Sequence, residues 1–260
     1  MDGMEIAYTR SGTGVPLVLL HAFPLSSLMW AAQRGGLSRS ADVLTPDQRG
    51  FGESAGPDVL DGVPADLNQV VDDLVRLLDQ LELREVVLGG LSMGGYVALA
   101  FARRYPDRLR GLLLANTKAS ADPADAVANR LRIAEAVERA GSSEPLLTEV
   151  FPKLLAPDAD PGLAQTVREQ LLQAPPAAVA WAQRAMAARS ETRDVLVRLR
   201  VPVLVVCGEA DALMARTESE AMANAAWDAE LVEIPGAGHL SALEAPREFN
   251  AAVDGLLKRV

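Results

Sequence analysis

The stretch that decides the fold is residues 86–98, which read Val86-Val87-Leu88-Gly89-Gly90-Leu91-Ser92-Met93-Gly94-Gly95-Tyr96-Val97-Ala98. Its first half is a short apolar run that ends in glycines, a pattern typical of a buried parallel strand. Beyond Ser92, the apolar residues Met93, Tyr96 and Val97 recur at helical spacing and predict an amphipathic helix. A strand and a helix therefore meet at Ser92.

Ser92 is the centre of a Gly-x-Ser-x-Gly motif, with Gly90 and Gly94 on either side. So tight a turn from strand to helix holds its central residue in strained backbone angles, and the glycines leave room for the neighbouring backbone. The hydroxyl is then displayed close to the N–H groups and the positive dipole end of the helix, which favour an anion. We expect Ser92 to be a nucleophile. The competing interpretation is a glycine-rich turn that carries a surface serine, and partners elsewhere in the chain decide between the two.

The composition predicts a globular protein with one large core. The chain has 260 residues, of which 49% are hydrophobic. A prior of about 150 residues per domain would give two domains, but α/β domains of this length are common as single units. The formal net charge is −10 and no Lys- or Arg-rich run occurs. We therefore expect no nucleic-acid partner.

Cysteine usage and hydropathy narrow the class further. Cys207 is the single cysteine, which excludes an intramolecular disulfide and a thiolate metal cluster. The N-terminus lacks a basic region followed by an apolar core, and no apolar run reaches the ~20 residues that span a bilayer. We expect a cytoplasmic protein without a signal peptide or a membrane partner, whereas these features predict nothing about oligomeric state.

The hydrophobic pattern divides most of the chain into alternating strands and helices. Strands are predicted over residues 4–9, 15–20, 41–45, 86–91, 111–115, 201–207 and 230–234. Helices are predicted over residues 30–37, 67–81, 93–105, 221–226 and 246–257. This alternation indicates an α/β fold, with a mostly parallel sheet that is covered by helices on both faces.

Residues 118–193 have a different character, since they lack β-branched runs, are rich in alanine and contain seven prolines. They predict a helical insertion in a core that is formed by residues 1–117 and 194–260. Its candidates for inward-facing side chains are Phe151, Leu154, Leu155, Trp181 and Met186. These side chains either hold the insertion together or line a substrate site.

A serine nucleophile needs a base, because almost none of its hydroxyl is ionised at neutral pH, and histidine has a suitable pKa. The chain has two histidines. His239 lies in a glycine-flanked loop after the last predicted strand and can point over the sheet edge. His21 directly follows a strand, where it is better placed to hold its own loop by hydrogen bonding. We predict that His239 is the base.

The base in turn needs a carboxylate that selects its tautomer. Asp211 comes directly after the predicted strand 201–207, and the chain order Ser92, Asp211, His239 is the one expected for this architecture. Glu209 is the nearest alternative, whereas Asn116 cannot serve as an acid. The competing role for Asp211 is to cap a turn or a helix.

An oxyanion that forms at Ser92 needs two fixed N–H donors. We predict that one is the backbone N–H of Met93 and the other that of Phe23, in the loop after strand 15–20. Loss of one such donor raises a reaction barrier by about 3 kcal/mol. Because the donors are backbone groups, the side chains at these two positions say little about the site.

Five motifs together resemble the α/β-hydrolase superfamily over essentially the whole chain. They are Leu19-Leu20-His21-Ala22-Phe23-Pro24, Asp47-Gln48-Arg49-Gly50-Phe51-Gly52-Glu53-Ser54, Gly90-Leu91-Ser92-Met93-Gly94-Gly95, Gly208-Glu209-Ala210-Asp211 and Gly238-His239. Within the superfamily, the chain is most similar to small capped hydrolases that include 3-oxoadipate enol-lactonases, carboxylesterases and cofactor-free haloperoxidases (perhydrolases).

The resemblance implies a sheet of about eight strands, with a helical cap over Ser92 and a substrate that enters between cap and sheet. Two features depart from the family pattern. Ala22 stands where relatives usually have glycine, which narrows the site, and the short N-terminus truncates the first antiparallel strand. Because Ser92 occupies the nucleophile position instead of an aspartate, haloalkane dehalogenase and epoxide hydrolase chemistry is disfavoured.

The leading hypothesis is a serine hydrolase of small carboxylic esters or lactones that needs neither a metal nor an organic cofactor. The candidate substrate-binding residues are Trp30, Phe151, Leu155, Trp181 and Met186. Two alternatives stay open. Hydrogen peroxide could replace water, so that a peracid forms at the same site, or the pocket could bind a signalling ligand without turnover.

Overall fold

The fold is a seven-stranded sheet in the computed structural model, which describes residues 4–56 and 58–260. The strands are β1 (Tyr8–Gly12), β2 (Val15–Leu20), β3 (Ala41–Pro46), β4 (Val86–Leu91), β5 (Leu109–Ala115), β6 (Val203–Gly208) and β7 (Ala229–Ile234). Their order across the sheet is β1-β3-β2-β4-β5-β6-β7. Only β1 is antiparallel to its neighbour among these described strands. The predicted mostly parallel sheet is confirmed, with seven described strands where the resemblance implied about eight.

Eleven α-helices accompany the sheet in the described part of the chain. They are α1 (Ala31–Leu37), α2 (Leu67–Gln80), α3 (Met93–Arg104), α4 (Ala124–Ala140), α5 (Leu146–Glu149), α6 (Pro161–Gln173), α7 (Pro176–Ala187), α8 (Arg193–Arg198), α9 (Arg216–Ala225), α10 (Ser241–Glu244) and α11 (Pro246–Leu257). Short 3-10 helices occupy Ser27–Trp30, Gly52–Ser54, Pro106–Arg108 and Phe151–Lys153. None of the helices in residues 4–56 and 58–260 has the length and apolar character to cross a membrane.

The central strands are covered on both faces. Every residue of β3, β4 and β6 is buried, and successive side chains of a strand point to opposite faces of its sheet. The helix α1 packs against α11, and α2 packs against α3. The sheet therefore forms the middle layer, and the carboxyl ends of its parallel strands lie along one edge, where loops can bring distant residues together.

The N-terminal strand begins later than predicted. The backbone of Ala7 bonds to loop residues instead of a strand, since its N–H donates to Ser54 Oγ at 2.9 Å and its carbonyl accepts from Asp47 N at 2.9 Å. Pairing with β3 then runs from Tyr8 to Gly12. Gly12 has a φ of +89°, and a Cβ there would lie 2.2 Å from the Ala41 carbonyl oxygen, so glycine is required where the chain reverses.

Between β5 and β6 the chain, which is fully described there, forms helices and loops but no strand. Four α-helices, α4 to α7, fall within residues 118–193, and α4 packs against α7. The pattern missed the short helices α8 and α10, because segments of six and four residues carry little periodicity.

Candidate active site

Ser92 lies where β4 ends and α3 begins, with φ +55° and ψ −112°. Its N–H donates to the Ala115 carbonyl of β5 at 2.9 Å, and its own carbonyl accepts from Gly95 N at 2.9 Å and from Thr117 Oγ1 at 2.8 Å. These bonds hold a backbone conformation that L-residues rarely adopt.

The glycines of the motif are required by close backbone contacts. A Cβ at Gly90 would lie 2.1 Å from the carbonyl group of Gly94, and one at Gly94 would lie 2.2 Å from the Leu20 carbonyl oxygen. A side chain at either position would separate α3 from the strands beneath it. The spacing of the motif thus follows from the packing of this turn.

His239 and Asp211 form a buried pair. The imidazole Nδ1 lies 3.0 Å from Asp211 Oδ2 and 3.1 Å from Oδ1, and the two side chains are 2% and 1% exposed. Burial by itself raises the pKa of the Asp211 carboxyl. The charge and hydrogen bond of His239, together with hydrogen bonds from Asn116 and from the Leu213 N–H, outweigh burial and hold that pKa below its ordinary value. Asp211 is therefore ionised at neutral pH and favours the imidazole tautomer that carries its proton on Nδ1.

Asn116 and Ser241 support this pair, although the sequence assigned no role to either. Asn116 Nδ2 donates to Asp211 Oδ2 at 2.9 Å and to the Gly238 carbonyl at 3.3 Å. Its Oδ1 accepts from Ser241 Oγ at 2.5 Å. Both side chains are fully buried, and Asn116 has a φ of +45°. The one available signal was position, because Asn116 directly follows β5 at the same sheet edge.

His21 has no free ring nitrogen. Its Nδ1 lies 3.0 Å from the Ala22 carbonyl, and its Nε2 accepts from the Gln48 N–H at 2.9 Å. Burial lowers the pKa of His21 below its ordinary value, against the opposing effects of the Ala22 carbonyl and the Asp47 carboxylate. His21 is therefore neutral and anchors its loop to the 46–54 loop, which leaves His239 as the histidine that faces the cavity.

The two N–H groups that the sequence predicts as oxyanion donors are those of Met93 and Phe23. Met93 is the first residue of α3, so its N–H has no intrahelical acceptor. The Phe23 N–H has no acceptor among residues 4–56 and 58–260, and Phe23 lines the same cavity as Ser92. Both groups can therefore donate to an oxygen that is bound there.

Ser92 and His239 both line a cavity of about 160 Å³. Residues from α4, α7 and the turns between 149 and 154 form its walls with Phe23, Leu213 and Met214. In the described structure the Ser92 hydroxyl and the His239 imidazole are not hydrogen-bonded to each other. Catalytic hydrogen bonds often shorten only when substrate binds. The volume lies below the roughly 300–1,000 Å³ of pockets for drug-sized ligands, which favours a small ligand.

The structure places the five candidate substrate-binding residues differently from one another. Met186 lines the cavity. The prediction for Trp30 is wrong. Its ring is completely buried and packs against Phe249, with 5.8 Å between the ring centroids, and it does not line the cavity. Trp181 is also outside the lining, and its Nε1 donates to the Val63 carbonyl at 3.2 Å.

Phe151 and Leu155 pack against the core but do not line the cavity, whereas their neighbours Val150 and Leu154 do. The helices in this segment have only three or four residues. So short a stretch shows no periodicity from which the inward-facing side chains could be predicted. Arg130, Lys153 and Gln183 also line the cavity. Sequence reasoning missed these polar residues, because it expected an apolar lining.

No cluster of three or more His, Cys, Asp or Glu residues suited to a metal ion occurs in the described ranges 4–56 and 58–260. The ionisable groups that line the cavity with Ser92 are Arg130, Glu149, Lys153 and His239. The arrangement can therefore hold a nucleophile, a base and two N–H donors around one small ligand.

Comparisons with known proteins identify a matching family and similar structures. Residues 17–252 match the sequence profile of the alpha/beta hydrolase family. A thermophilic esterase from Thermogutta terrifontis, solved with malate bound, is 41% identical with a TM-score of 0.91, over 97% of this chain and 93% of that one. The enol-lactonase from Burkholderia xenovorans is 27% identical with a TM-score of 0.88, over 99% and 98% of the two chains. The 3-oxoadipate enol-lactonase 2 of Acinetobacter baylyi is 26% identical over 94% of this chain and 88% of the relative.

Proposed function

The chain belongs to the alpha/beta hydrolase family, and from that premise we propose that it hydrolyses small carboxylic esters or lactones, with Ser92 as the nucleophile. The names of similar proteins support this class, since they include an esterase and enol-lactonases. The observation that carries the proposal is the buried His239–Asp211 pair, which faces the same cavity as the serine on the strained turn.

In the proposed reaction, Ser92 Oγ attacks the carbonyl carbon while His239 Nε2 takes the hydroxyl proton. The tetrahedral intermediate collapses when the imidazolium returns that proton to the leaving alkoxide, and an acyl-enzyme remains. Water then attacks the acyl carbon with the same histidine as base, which releases the acid and restores Ser92. Asp211 orients the imidazole and stabilises its charged form.

The Phe23 and Met93 N–H groups would donate to the oxyanion of each tetrahedral intermediate. Fixed donors of this kind act mainly on the transition state, because charge develops on the oxygen only there. The positive end of α3 adds to the same stabilisation. Apart from the substrate and the attacking water, these steps use only side chains and backbone groups of the protein.

Residues 118–193 would act as a cap on a core of residues 1–117 and 194–260. In support, Ile133 of α4 and Met186 of α7 line the cavity together with Ser92. A substrate would then lie between the helices and the sheet edge. The small volume favours short acyl or alcohol groups.

The test is a panel of 4-nitrophenyl acetate, butyrate and octanoate with wild type, Ser92→Ala and the control Ser38→Ala. We expect hydrolysis that falls with chain length, is lost in Ser92→Ala and is retained in Ser38→Ala, because Ser38 does not line the cavity and its hydroxyl bonds only to the Gly35 carbonyl. Mass spectrometry after treatment with an alkyl fluorophosphonate should locate the adduct on Ser92. Equal rates for wild type and Ser92→Ala would remove Ser92 from the mechanism.

Parallel assays separate the two remaining alternatives. Bromination that depends on hydrogen peroxide and exceeds ester hydrolysis would favour a perhydrolase. Ligand binding without turnover of any ester would favour a signalling protein. The proposal requires that hydrolysis by water dominates.

A further inference from the structure

The wall of the cavity is charged as well as apolar. Arg130, Glu149 and Lys153 line it together with Ser92 and His239. Glu149 is neutralised by Arg132, whose Nη1 donates to Oε1 at 2.8 Å and whose Nη2 donates to Oε2 at 2.5 Å. Lys153 adds a second positive charge near Glu149, since it contributes with Arg132 to the lowered pKa of that carboxyl. The side chains of the wall therefore carry an excess of positive charge.

Arg130 belongs to a buried cluster that leaves positive charge uncompensated. Its Nε donates to Asp122 Oδ2 at 2.6 Å. The same carboxylate also pairs with Lys118 Nζ at 2.8 Å and with Arg189 Nη2 at 2.7 Å. The Asp122 side chain is 2% exposed. One carboxylate thus faces three cations in a region where water screens charge poorly.

The guanidinium of Arg130, a residue that lines the cavity, keeps one nitrogen available for a ligand. Nη1 donates to Gln183 Oε1 at 3.3 Å and to Met186 Sδ at 3.5 Å, whereas Nη2 has no acceptor within residues 4–56 and 58–260. Because Asp122 and Gln183 hold the planar group in place, little rotamer freedom is lost when it binds a ligand. A planar guanidinium with spare N–H groups matches the geometry of a carboxylate.

From these contacts we propose that the enzyme acts on esters or lactones that carry a second, ionised carboxylate, and that Arg130 binds this group. The inference rests on the proposed hydrolysis at Ser92. The whole chain has a formal net charge of −10, so a cationic wall at this one cavity is opposite in sign to the rest of the molecule. Lys153 adds long-range attraction for the same anion.

Matched pairs of ethyl esters test the proposal. Monoethyl succinate, glutarate and adipate carry the carboxylate at increasing distance from the ester. Ethyl levulinate, 5-oxohexanoate and 6-oxoheptanoate have the same number of heavy atoms, with a methyl ketone in its place. Ethanol release gives kcat/KM for each ester. The readout is the kcat/KM of the charged ester divided by that of its neutral partner.

We expect wild type to favour the charged ester in at least one pair. In Arg130→Met that ratio should fall by about 10- to 100-fold, the range for a lost charge-assisted hydrogen bond, and Arg130→Lys should give an intermediate ratio. The matched control is Arg184→Met, which removes one positive charge from α7. Arg184 is paired with Glu138 and does not line the cavity, so its ratio should equal that of wild type.

Two results would overturn the inference while hydrolysis at Ser92 stands. One is a wild-type ratio of one or less in every pair, and the other is an unchanged ratio in Arg130→Met. Failure of every ester, charged or neutral, would instead defeat the proposed function. In that case calorimetric titration with succinate still tests whether Arg130 binds a carboxylate. Succinate should bind Arg130→Met at least 10-fold more weakly than wild type. If Arg130→Met does not fold, Arg130→Lys provides the same comparison.

Discussion

Asn116→Ala should weaken both the fold and the reaction, because one buried side chain holds the acid of the site. The change removes the 2.9 Å hydrogen bond to Asp211 and the 2.5 Å bond from Ser241. It leaves the Ser241 hydroxyl buried without its acceptor, which costs about 1–3 kcal/mol. Alanine in a left-handed conformation adds about 1 kcal/mol. We therefore expect the free energy of unfolding to fall by about 3 kcal/mol.

The effect on activity follows from the Asp211 carboxylate. A hydrogen bond to a charged group contributes about 1.5–3 kcal/mol, so its loss raises the pKa of Asp211 toward its ordinary value. The low pKa of Asp211 stabilises the native state above the unfolded pKa, and this contribution disappears as pH falls through the folded pKa. In Asn116→Ala the acid limb that protonation of Asp211 causes should begin at a higher pH than in wild type, and kcat should fall about 10- to 100-fold.

The control is Ser241→Ala, which removes only the donor to Asn116. Its stability should fall by about 1–2 kcal/mol, but the Asn116–Asp211 bond stays, so its pH profile should stay close to that of wild type. Urea denaturation gives the stabilities, and 4-nitrophenyl acetate hydrolysis from about pH 3 to 8 gives the profiles. The reasoning is refuted if Asn116→Ala keeps the wild-type kcat and acid limb, or if Ser241→Ala shifts that limb equally.

Three further predictions concern stability, measured by urea denaturation. His21 has a lowered folded pKa, so the unfolded state alone takes a proton below about pH 6.5; stability should fall by up to about 1.4 kcal/mol per pH unit between pH 6.5 and 5. His21→Asn should abolish that slope. Gly94→Ala should cost about 3 kcal/mol or more, because its Cβ meets the sheet backbone, whereas Gly35→Ala, in a helix with nothing within 4 Å, should stabilise by about 0.5–1 kcal/mol. Glu244→Ala should cost about 2 kcal/mol because the Ala156 N–H loses its 2.7 Å acceptor, and Glu244→Gln, which keeps an acceptor oxygen, should cost less.

Each of these three has a result that contradicts it. An acid slope that persists in His21→Asn would assign the titration to another group. If alanine changes stability equally at positions 94 and 35, then the turn can accommodate a Cβ at position 94, contrary to the short distances calculated for it. Equal losses in Glu244→Ala and Glu244→Gln would show that the charge, and not the bond to Ala156, matters.

The parts of the site that local sequence could predict are those determined by backbone packing. Gly90 is required by its contact with Gly94 within the turn, and Gly94 by its contact with the backbone of Leu20 at the end of β2, so the glycines of the motif reflect the close packing of the turn on the sheet. His239 and Asp211 follow strands, and parallel strands bring their carboxyl ends to one edge. Chain order and residue type were therefore enough to nominate them.

The parts that sequence could not predict depend on how separate elements dock. Trp30 looked available for a ligand, but it packs against Phe249 of the last helix, a contact between residues more than 200 positions apart. Whether Val150 or Phe151 faces the cavity depends on the rotation of a very short helix. Arg130 lies on a long helix whose orientation over the sheet edge is set by packing against α7. In each case tertiary contacts decide, and local periodicity carries no information about them.

The backbone of Ser92 is held by groups that do not involve its hydroxyl: the Ala115 carbonyl, the Gly95 N–H and the Thr117 hydroxyl. The backbone at position 92 therefore fixes the direction of the Cα–Cβ bond, whichever side chain is attached there. A cysteine placed there would present its sulfur to the same cavity, next to the same imidazole. The scaffold can thus exchange one reactive atom for another without being redesigned.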